Sequence, residues 1–457
     1  MLSYQKYSIS LKPVRDEIMN KRTNLAIACA ALVAISQSAI AKTGVEPLPL
    51  PVSSETVFSQ SMNDPNVIFY HAEQAYKKGD YDESLRWMLE AAQYEHEAAI
   101  ANTKFMIQNN LGTSENRESV VSFLKYFASP RGDDKADVFA QIYLANYYRG
   151  DNCVWLSNDE KADCVLGADS KTAKPMSATD LNRSYFYFEA AGEQGDVQSA
   201  YSAGMMNLLG LGVPRNVPLA LSMLKPIAEN GNAGVAYLVG SVYQLGYWMP
   251  QDRAEANKWF EMAAQSLHAG AQINLAKNAE AGYSKVDNET ERAEQAKALY
   301  LAVIDGVTAT SEERAEAAYR AGLLTASHPT VRDEVAASKF MEQAIKSSNG
   351  KVNEFTVKAM VWLGERLEHT DLAASVGIYK RALAGLKTLP IDVQQRHSSV
   401  WEKIAHAYGR GQEGNFDRDE RYFSQYMQER HVLMSKSFIP STENDTFQGY
   451  SAFHIPG

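Results

Sequence analysis

The chain has 457 residues, 45% of them hydrophobic and 22% charged, with a formal net charge of −10. That balance is ordinary for a soluble protein and carries no disorder signature. An acidic chain without basic clusters argues against nucleic acid, or any polyanion, bound over a broad surface. The length exceeds the ~250–300 residues at which one compact core usually stops growing, a limit that a stack of repeats escapes because each repeat touches only its neighbours.

Taken from the N-terminus, Lys21 and Arg22 precede an apolar run from Leu25 to Ile35, and Ala39 and Ala41 form a small-x-small pair. This is the pattern of a secretory signal peptide over residues 1–41, with cleavage after Ala41. Met19-Asn20-Lys21-Arg22 reads equally well as the true start. Residues 1–41 carry five cations and two anions, so their removal takes the net charge from −10 to −13. Retention as an anchor stays open, because Asn24 to Ala41 is near the lower length for crossing a bilayer. No other stretch reads as an integral membrane span. Cys29 leaves with the signal, and Cys153 and Cys164 remain. In an oxidising compartment two cysteines in one loop pair as a disulfide. The alternative is two free thiols, since their spacing matches no zinc pattern.

Residues 42–66, with Pro47, Pro49 and Pro51, read as an extended leader without periodicity. From Val67 a helical pattern begins. Phe69, Ala72, Ala75 and Tyr76 share one face, Gly79-Asp80-Tyr81 makes a turn, and Leu85, Met88, Leu89 and Ala92 form a second stripe. This is one helix hairpin, the first of a set that extends to residue 436. A second helix pair covers 97–128. In the third, the first helix ends near Tyr148-Arg149-Gly150 and the second resumes near Asp180. The insertion at 150–180 holds both cysteines. Insertions in repeat arrays fall on one face, so this one reads either as a binding loop or as a tolerated surface excursion.

The strongest signal comes next, a self-match at an offset of 36 residues. Tyr201, Gly204, Gly210, Pro214, Ala220 and Ala228 recur as Tyr237, Gly240, Gly246, Pro250, Ala256 and Ala264. Ala200 and Ala236 keep the same spacing, as do Gly195 and Gly231. A period of ~20–50 residues marks stacked supersecondary units. In the clearest unit, Ala236, Tyr237 and Gly240 lie on one face of helix A, and the bare Gly240 lets its partner helix come close. Gly246 suits the left-handed backbone that ends a helix, Pro250 cannot continue it, and Asp252 is the expected N-cap of helix B, with Asn216 one period earlier. Ala256, Trp259, Phe260, Ala263 and Ala264 then form a helical apolar stripe. Residues 269–306, 314–346, 357–386 and 399–431 keep alanine-rich, aromatic-anchored pairs. Together with 97–128 they are expected to lack the Gly-x-Gly-Val loop. Residues 437–457 read as a tail that either caps the last hairpin or serves as a recognition peptide.

Gly210-Leu211-Gly212-Val213-Pro214, Ala220, Leu224 and Ala228-Glu229-Asn230-Gly231 resemble the Sel1-like repeat, a longer-looped relative of the tetratricopeptide. Trp259-Phe260 with Ala263-Ala264, and Tyr187-Phe188 with Ala190-Ala191-Gly192-Glu193-Gln194-Gly195, carry the same resemblance. It implies an all-α, right-handed superhelical solenoid of about nine antiparallel helix hairpins, non-enzymatic and engaged in adaptor work. Exported relatives serve as scaffolds in exopolysaccharide secretion, in flagellar motor assembly or in host interaction. The alginate-export relative depends on a lipid-modified cysteine. Cys29, which follows Ala26-Ile27-Ala28, departs from that pattern.

Motifs for chemistry are lacking. The Ser122–Lys125 and Ser222–Lys225 strings lack the companions that would make them nucleophile sites, and the nine histidines show no metal spacing. No catalytic residue, metal ligand or cofactor site is assigned. The expectation is a scaffold that binds other envelope proteins in a bacterial periplasm, in association with the outer membrane. Its alternative is a groove that holds an envelope glycan or peptide. Tyr143, Tyr147, Asn207, Tyr243 and Gln244 are the side chains placed to reach a partner on the helix A face.

Overall fold

The computed structural model describes residues 50, 64–131, 135–149, 178–246 and 249–436. The signal segment, the Cys153–Cys164 pair and the tail from 437 lie outside them. Among the described residues the secondary structure comprises 19 helices and no strand. The chain forms two compact units that divide after Met223.

Unit 1 holds α1 (Pro65–Lys77), α2 (Tyr81–Gln93), α3 (Glu97–Gln108), α4 (Arg117–Phe127), α5 (Val138–Arg149), α6 (Ala178–Glu193), α7 (Val197–Leu209) and the start of α8 (Val217–Glu229). Unit 2 continues α8 and adds α9 (Ala233–Leu245), α10 (Arg253–Gln265), α11 (Ala269–Glu280), α12 (Glu289–Asp305), α13 (Ser311–Ser327), α14 (Glu334–Ser347), α15 (Glu354–Leu367) and α16 (Leu372–Leu386). The short α17 (Ile391–Arg396) leads to α18 (Ser399–Arg410) and α19 (Glu420–Ser435). The A helices are α1, α3, α5, α7, α9, α11, α13, α15 and α18. Each is followed by its B helix. Seven of these pairs make extensive helix–helix contact, from α1 with α2 to α18 with α19, and the A helices α11, α13 and α15 also touch one another in turn.

Three local devices repeat. The first is the turn from a B helix into the next A helix. Glu95, Gly195, Gly231 and Leu267 all take positive φ, at 58°, 101°, 95° and 58°. The residue after each caps the following helix: His96, Asp196, Asn232 and His268 accept from the backbone N–H three residues on. Asp196, Asn232 and His268 continue the 36-residue period. His96 and His268 also stack on the preceding A helix, against Phe69 at 4.7 Å and Tyr237 at 4.6 Å between ring centroids.

The second device is the A-to-B loop. Gly210 and Gly212 both have φ of 73°, and the Leu211 N–H bonds back to the Met206 carbonyl at 2.9 Å. A Cβ on Gly212 would lie 2.3 Å from the Leu181 carbonyl carbon of α6. The same loop occurs 100 residues earlier, which corrects the expectation that residues 97–128 lack it. Asn110 (φ 55°) stands where Gly210 does, Gly112 (φ 70°) where Gly212 does, and the Leu111 N–H bonds to the Met106 carbonyl at 2.8 Å. A Cβ on Gly112 would meet the Tyr81 carbonyl oxygen of α2 at 2.2 Å. Asparagine tolerates the left-handed region better than other side chains, so the glycine signature disappears while the loop persists.

The third device is a bare position on helix A opposite a large side chain of helix B. Added Cβ atoms on Gly240, Gly322 and Gly364 would fall 2.7, 2.8 and 2.5 Å from Phe260, Met341 and Tyr379. Phe260, Met341 and Tyr379 are fully buried. Where the approach is made by a serine on helix B, its hydroxyl donates to a helix A carbonyl. Ser84 bonds to Ala72, Ser184 to Ala145 and Ser375 to Gly364, each at 2.8 Å.

The Ser184–Ala145 bond shows that α5 and α6 close as a hairpin across the insertion. Helix α1 begins two residues before the expected Val67. Asp64 caps it by accepting from the Asn66 N–H at 2.9 Å, and Pro65 occupies the first turn, where its missing N–H costs nothing.

Candidate functional site

The repeat positions named from the sequence build the core. Tyr201, Ala220, Ala228, Ala236, Ala256, Trp259, Phe260 and Ala263 are buried, and Gly204 and Gly240 are buried within α7 and α9. Tyr237 and Ala264 are half-buried. Gly246 ends α9 at φ 63°, and Asp252 caps α10 by accepting from the Glu255 N–H at 2.9 Å. Asn216 does the same for Leu219 at 3.1 Å.

The five side chains placed on a partner face turn out to have different surroundings. Asn207 is buried, and its amide donates to the Tyr185 hydroxyl and the Ala203 carbonyl, both at 3.1 Å. Its amide nitrogen is engaged inside unit 1. Tyr243 meets Lys225, whose ammonium sits 5.2 Å from its ring centroid and 5.6 Å from that of Trp259. It therefore packs towards B helices. Gln244 exchanges two amide bonds with Asn278 of α11, at 2.9 and 3.0 Å. Asn278 also donates to Asn257 at 2.6 Å. That network joins two hairpins. Tyr143 and Tyr147 remain half-buried on α5. With Phe139 they form a ridge at i, i+4 and i+8, and the Phe139 and Tyr143 rings stack at 4.3 Å.

A row of polar and aromatic side chains that sequence reasoning missed runs along the A helices of unit 2. It begins at Lys277 of α11, whose ammonium donates to Asn274 at 3.3 Å. Burial lowers the Lys277 pKa, against the pull of Glu316. On α13, Arg320 donates to Glu316 at 2.7 Å. Burial opposes the Arg320 charge, but Glu316 and Tyr300 more than offset it, so its pKa is raised. The neighbouring Tyr300 hydroxyl bonds to Glu280, and burial together with that carboxylate pushes its pKa well up. Tyr319 faces Phe355 of α15 at 6.2 Å, and the Lys358 ammonium lies 5.3 Å from the Phe355 ring. Glu354 then bonds to Lys358 at 2.7 Å, His397 at 3.0 Å and Arg396 at 3.4 Å. The His397 bond, aided by Lys358 and opposed by burial, holds the Glu354 carboxyl down at about 2.

The signal for this row was present as paired charges four apart, Glu316 with Arg320 and Glu354 with Lys358. It was missed because these hairpins depart furthest from the 36-residue pattern. Chemically, the row presents alternating charges, amides and ring faces. Among the described residues no three His, Cys, Asp or Glu side chains gather as a metal group. No helix of the described residues is long and apolar enough to cross a membrane.

Comparison with known proteins bears on the same segments. The family model described as Sel1 repeat matches residues 69–93, 175–196, 197–232 and 234–266. Among solved structures, the chain is similar to a Sel1 repeat protein from Oxalobacter formigenes. That structure is 17% identical, with 58% of this chain and 94% of that one covered and a TM-score of 0.41. It is also similar to a protective antigen of uropathogenic Escherichia coli strains described as displaying an SLR fold. Here identity is 15%, coverage 84% and 83%, and the TM-score 0.43. These four segments of the chain are Sel1 repeats by the family model.

Proposed function

We propose that this protein is an exported scaffold that holds other proteins through the A-helix faces of its two units. Sel1 repeats generally mediate protein–protein interaction. The observation that carries the reading here is the row from Lys277 to Glu354 in unit 2. Half-buried cations, anions and aromatic rings alternate along it. A protein partner matches such a surface with complementary charges and ring contacts, whereas a neutral glycan leaves desolvated charges without counterparts. The residues 1–41 signal pattern supports export, and the bacterial envelope is the compartment that fits it.

In-cell crosslinking of a tagged full chain, read by mass spectrometry, tests this. Crosslinks to one or a few envelope proteins are expected. They should drop when Tyr319 and Lys358 are both replaced by Ser, with helix content by circular dichroism unchanged. Crosslinks that persist at full yield in a folded double variant remove the row from the binding surface.

A further inference from the structure

Asparagine is followed by glycine at two places in the chain, Asn230-Gly231 between α8 and α9 and Asn349-Gly350 between α14 and α15. All four residues are exposed. Both glycines take positive φ, at 95° and 81°, and an added Cβ would meet nothing within 4 Å at either. Residue type and free space are therefore matched, but the backbone N–H groups are not. The Gly231 N–H donates to the Ala228 carbonyl at 2.9 Å. The Gly350 N–H has no acceptor among the described residues, although the N–H groups on either side, of Asn349 and Lys351, donate to the Lys346 and Ser348 carbonyls at 3.2 and 2.9 Å. Asn349 itself sits at φ 48°, a left-handed conformation that costs an L side chain free energy.

We propose that Asn349 is a covalent modification site, whose side-chain amide is lost through a cyclic imide closed by the Gly350 nitrogen. Solvent hydroxide removes the proton of the open Gly350 N–H, and the nitrogen attacks the Asn349 side-chain carbonyl carbon, Cγ. The Cγ–Nδ2 bond breaks, and Nδ2 takes a proton from water and leaves as ammonia. Water then opens the ring. Breaking the new Cγ–N bond gives aspartate, and breaking the original backbone C–N bond gives isoaspartate. Overall one water is consumed and one ammonia released, with no change of oxidation state. Glycine is the residue that least hinders this attack, because it presents no side chain to the ring being formed. At Asn230 the same attack must first break the Gly231–Ala228 bond, in a turn that Asn232 also fixes by accepting from the Val235 N–H at 2.8 Å.

The site lies four residues ahead of Asn353, which caps α15 by accepting from the Phe355 and Thr356 N–H groups, both at 3.0 Å. Isoaspartate runs the backbone through Cβ and lengthens it inside the turn closed by the Lys351–Ser348 bond, so the entry to α15 shifts. Either product also places a new carboxylate between the exposed Lys346 and Lys351. This inference stands apart from the scaffold reading, and its test involves no partner.

Incubation of the full chain at neutral pH, followed by peptide mapping with electron-transfer fragmentation, measures aspartate and isoaspartate at both asparagines. Circular dichroism verifies that the chain stays folded. Asn349 is expected to convert about tenfold faster than Asn230, the factor that one backbone hydrogen bond of ordinary net strength is worth. In concentrated guanidinium chloride the two rates should converge, because both asparagines precede glycine and the Gly231 bond is gone. Equal rates in the folded chain, or a faster rate at Asn230, overturn the proposal. So does a tenfold ratio that survives unfolding, because flanking residues rather than the open Gly350 N–H would then set it.

Discussion

Replacing Gly212 by alanine isolates what the A-to-B loop requires. The residue sits at φ 73°, where an L side chain costs about 1–2 kcal/mol. The smaller conformational freedom of unfolded alanine offsets about 0.4–1 kcal/mol of that. The new Cβ would also lie 2.3 Å from the Leu181 carbonyl carbon and 2.6 Å from the Asn182 nitrogen. Both are helix backbone and cannot rotate aside, so the loop must lift off α6, at an overpacking cost of about 1–3 kcal/mol. Lifting also strains the Asn182 amide bond to the Gly212 carbonyl, now 3.2 Å. The total is about 3 kcal/mol. Gly195→Ala supplies the control: its φ is 101°, but nothing lies within 4 Å of an added Cβ, so only the backbone part, about 1 kcal/mol, remains. Repeat proteins open locally, so hydrogen exchange is the suitable assay. Amides of the 210–216 loop and of the first turns of α6 should open about 30-fold more readily in Gly212→Ala than amides around residue 195 do in the control, the equivalent of ~2 kcal/mol. Equal opening in the two variants would refute the close-approach argument and leave only backbone strain.

Three further outcomes follow from the same geometry. Leu267→Gly should stabilise unit 2 by about 0.5–1 kcal/mol in denaturant unfolding, because it removes an αL penalty at a side chain 57% exposed; a loss of stability would mean that Leu267 contributes packing. Gly240→Ala should cost about 1–3 kcal/mol by forcing the buried Phe260 ring, 2.7 Å from the added Cβ, out of place. Phe260→Leu in the same chain should then cost less than it does alone, and strictly additive costs would show that ring and Cβ do not meet. Glu354→Gln tests the pH dependence. The folded carboxyl is depressed to about 2 from an ordinary 4.5, so its stabilising contribution is complete above about pH 4.5 and is lost as pH falls towards 2. A shift of that size corresponds to about 3 kcal/mol at most, and partial exposure reduces it to about 1–2 kcal/mol. The variant should be less stable at pH 7 by that amount and should match the native chain near pH 2. A constant difference across that range would remove the His397–Glu354 contact as the cause.

The helix hairpins were legible wherever backbone geometry dictates a residue type. Gly246, Asp252 and Asn216 stand where a left-handed stop and two N-caps are needed, and the alanine stripes of α8 and α10 are buried as their spacing required. Legibility failed where two residue types meet the same demand. Asn110 holds the left-handed position that Gly210 holds, so the loop of residues 110–116 escaped a search for glycines. Leu267 and Glu95 hold the positive-φ turns that Gly195 and Gly231 hold, and neither side chain announces that conformation. The start of α1 was placed late because Asp64 and Pro65 carry the signal in capping chemistry, ahead of the apolar period.

The partner face was the least legible part, and the reason is physical. A face that touches solvent or a partner is under no common backbone constraint, so its residues need not recur at any period. Gln244 and Asn207 were chosen because amides suit contacts, yet both spend their amides within the protein, on Asn278 and on Tyr185. The row of Lys277, Arg320, Tyr319, Phe355 and Lys358 emerges only once α11, α13 and α15 are known to touch in turn. Two classes of position therefore separate. Gly212, Gly240 and Gly364 are fixed by close approach, and their substitution reads out as stability. Tyr319 and Lys358 are half-buried and replaceable without a backbone clash, so their substitution reads out as binding. Glu354 belongs to both classes, because its bonds to His397 and Arg396 tie α15 to α17 while its bond to Lys358 sets the charge pattern of the row. A loss of partner binding in Glu354→Gln is therefore interpretable only beside the Lys358 variant, which alters the charge pattern and leaves the His397 bond in place.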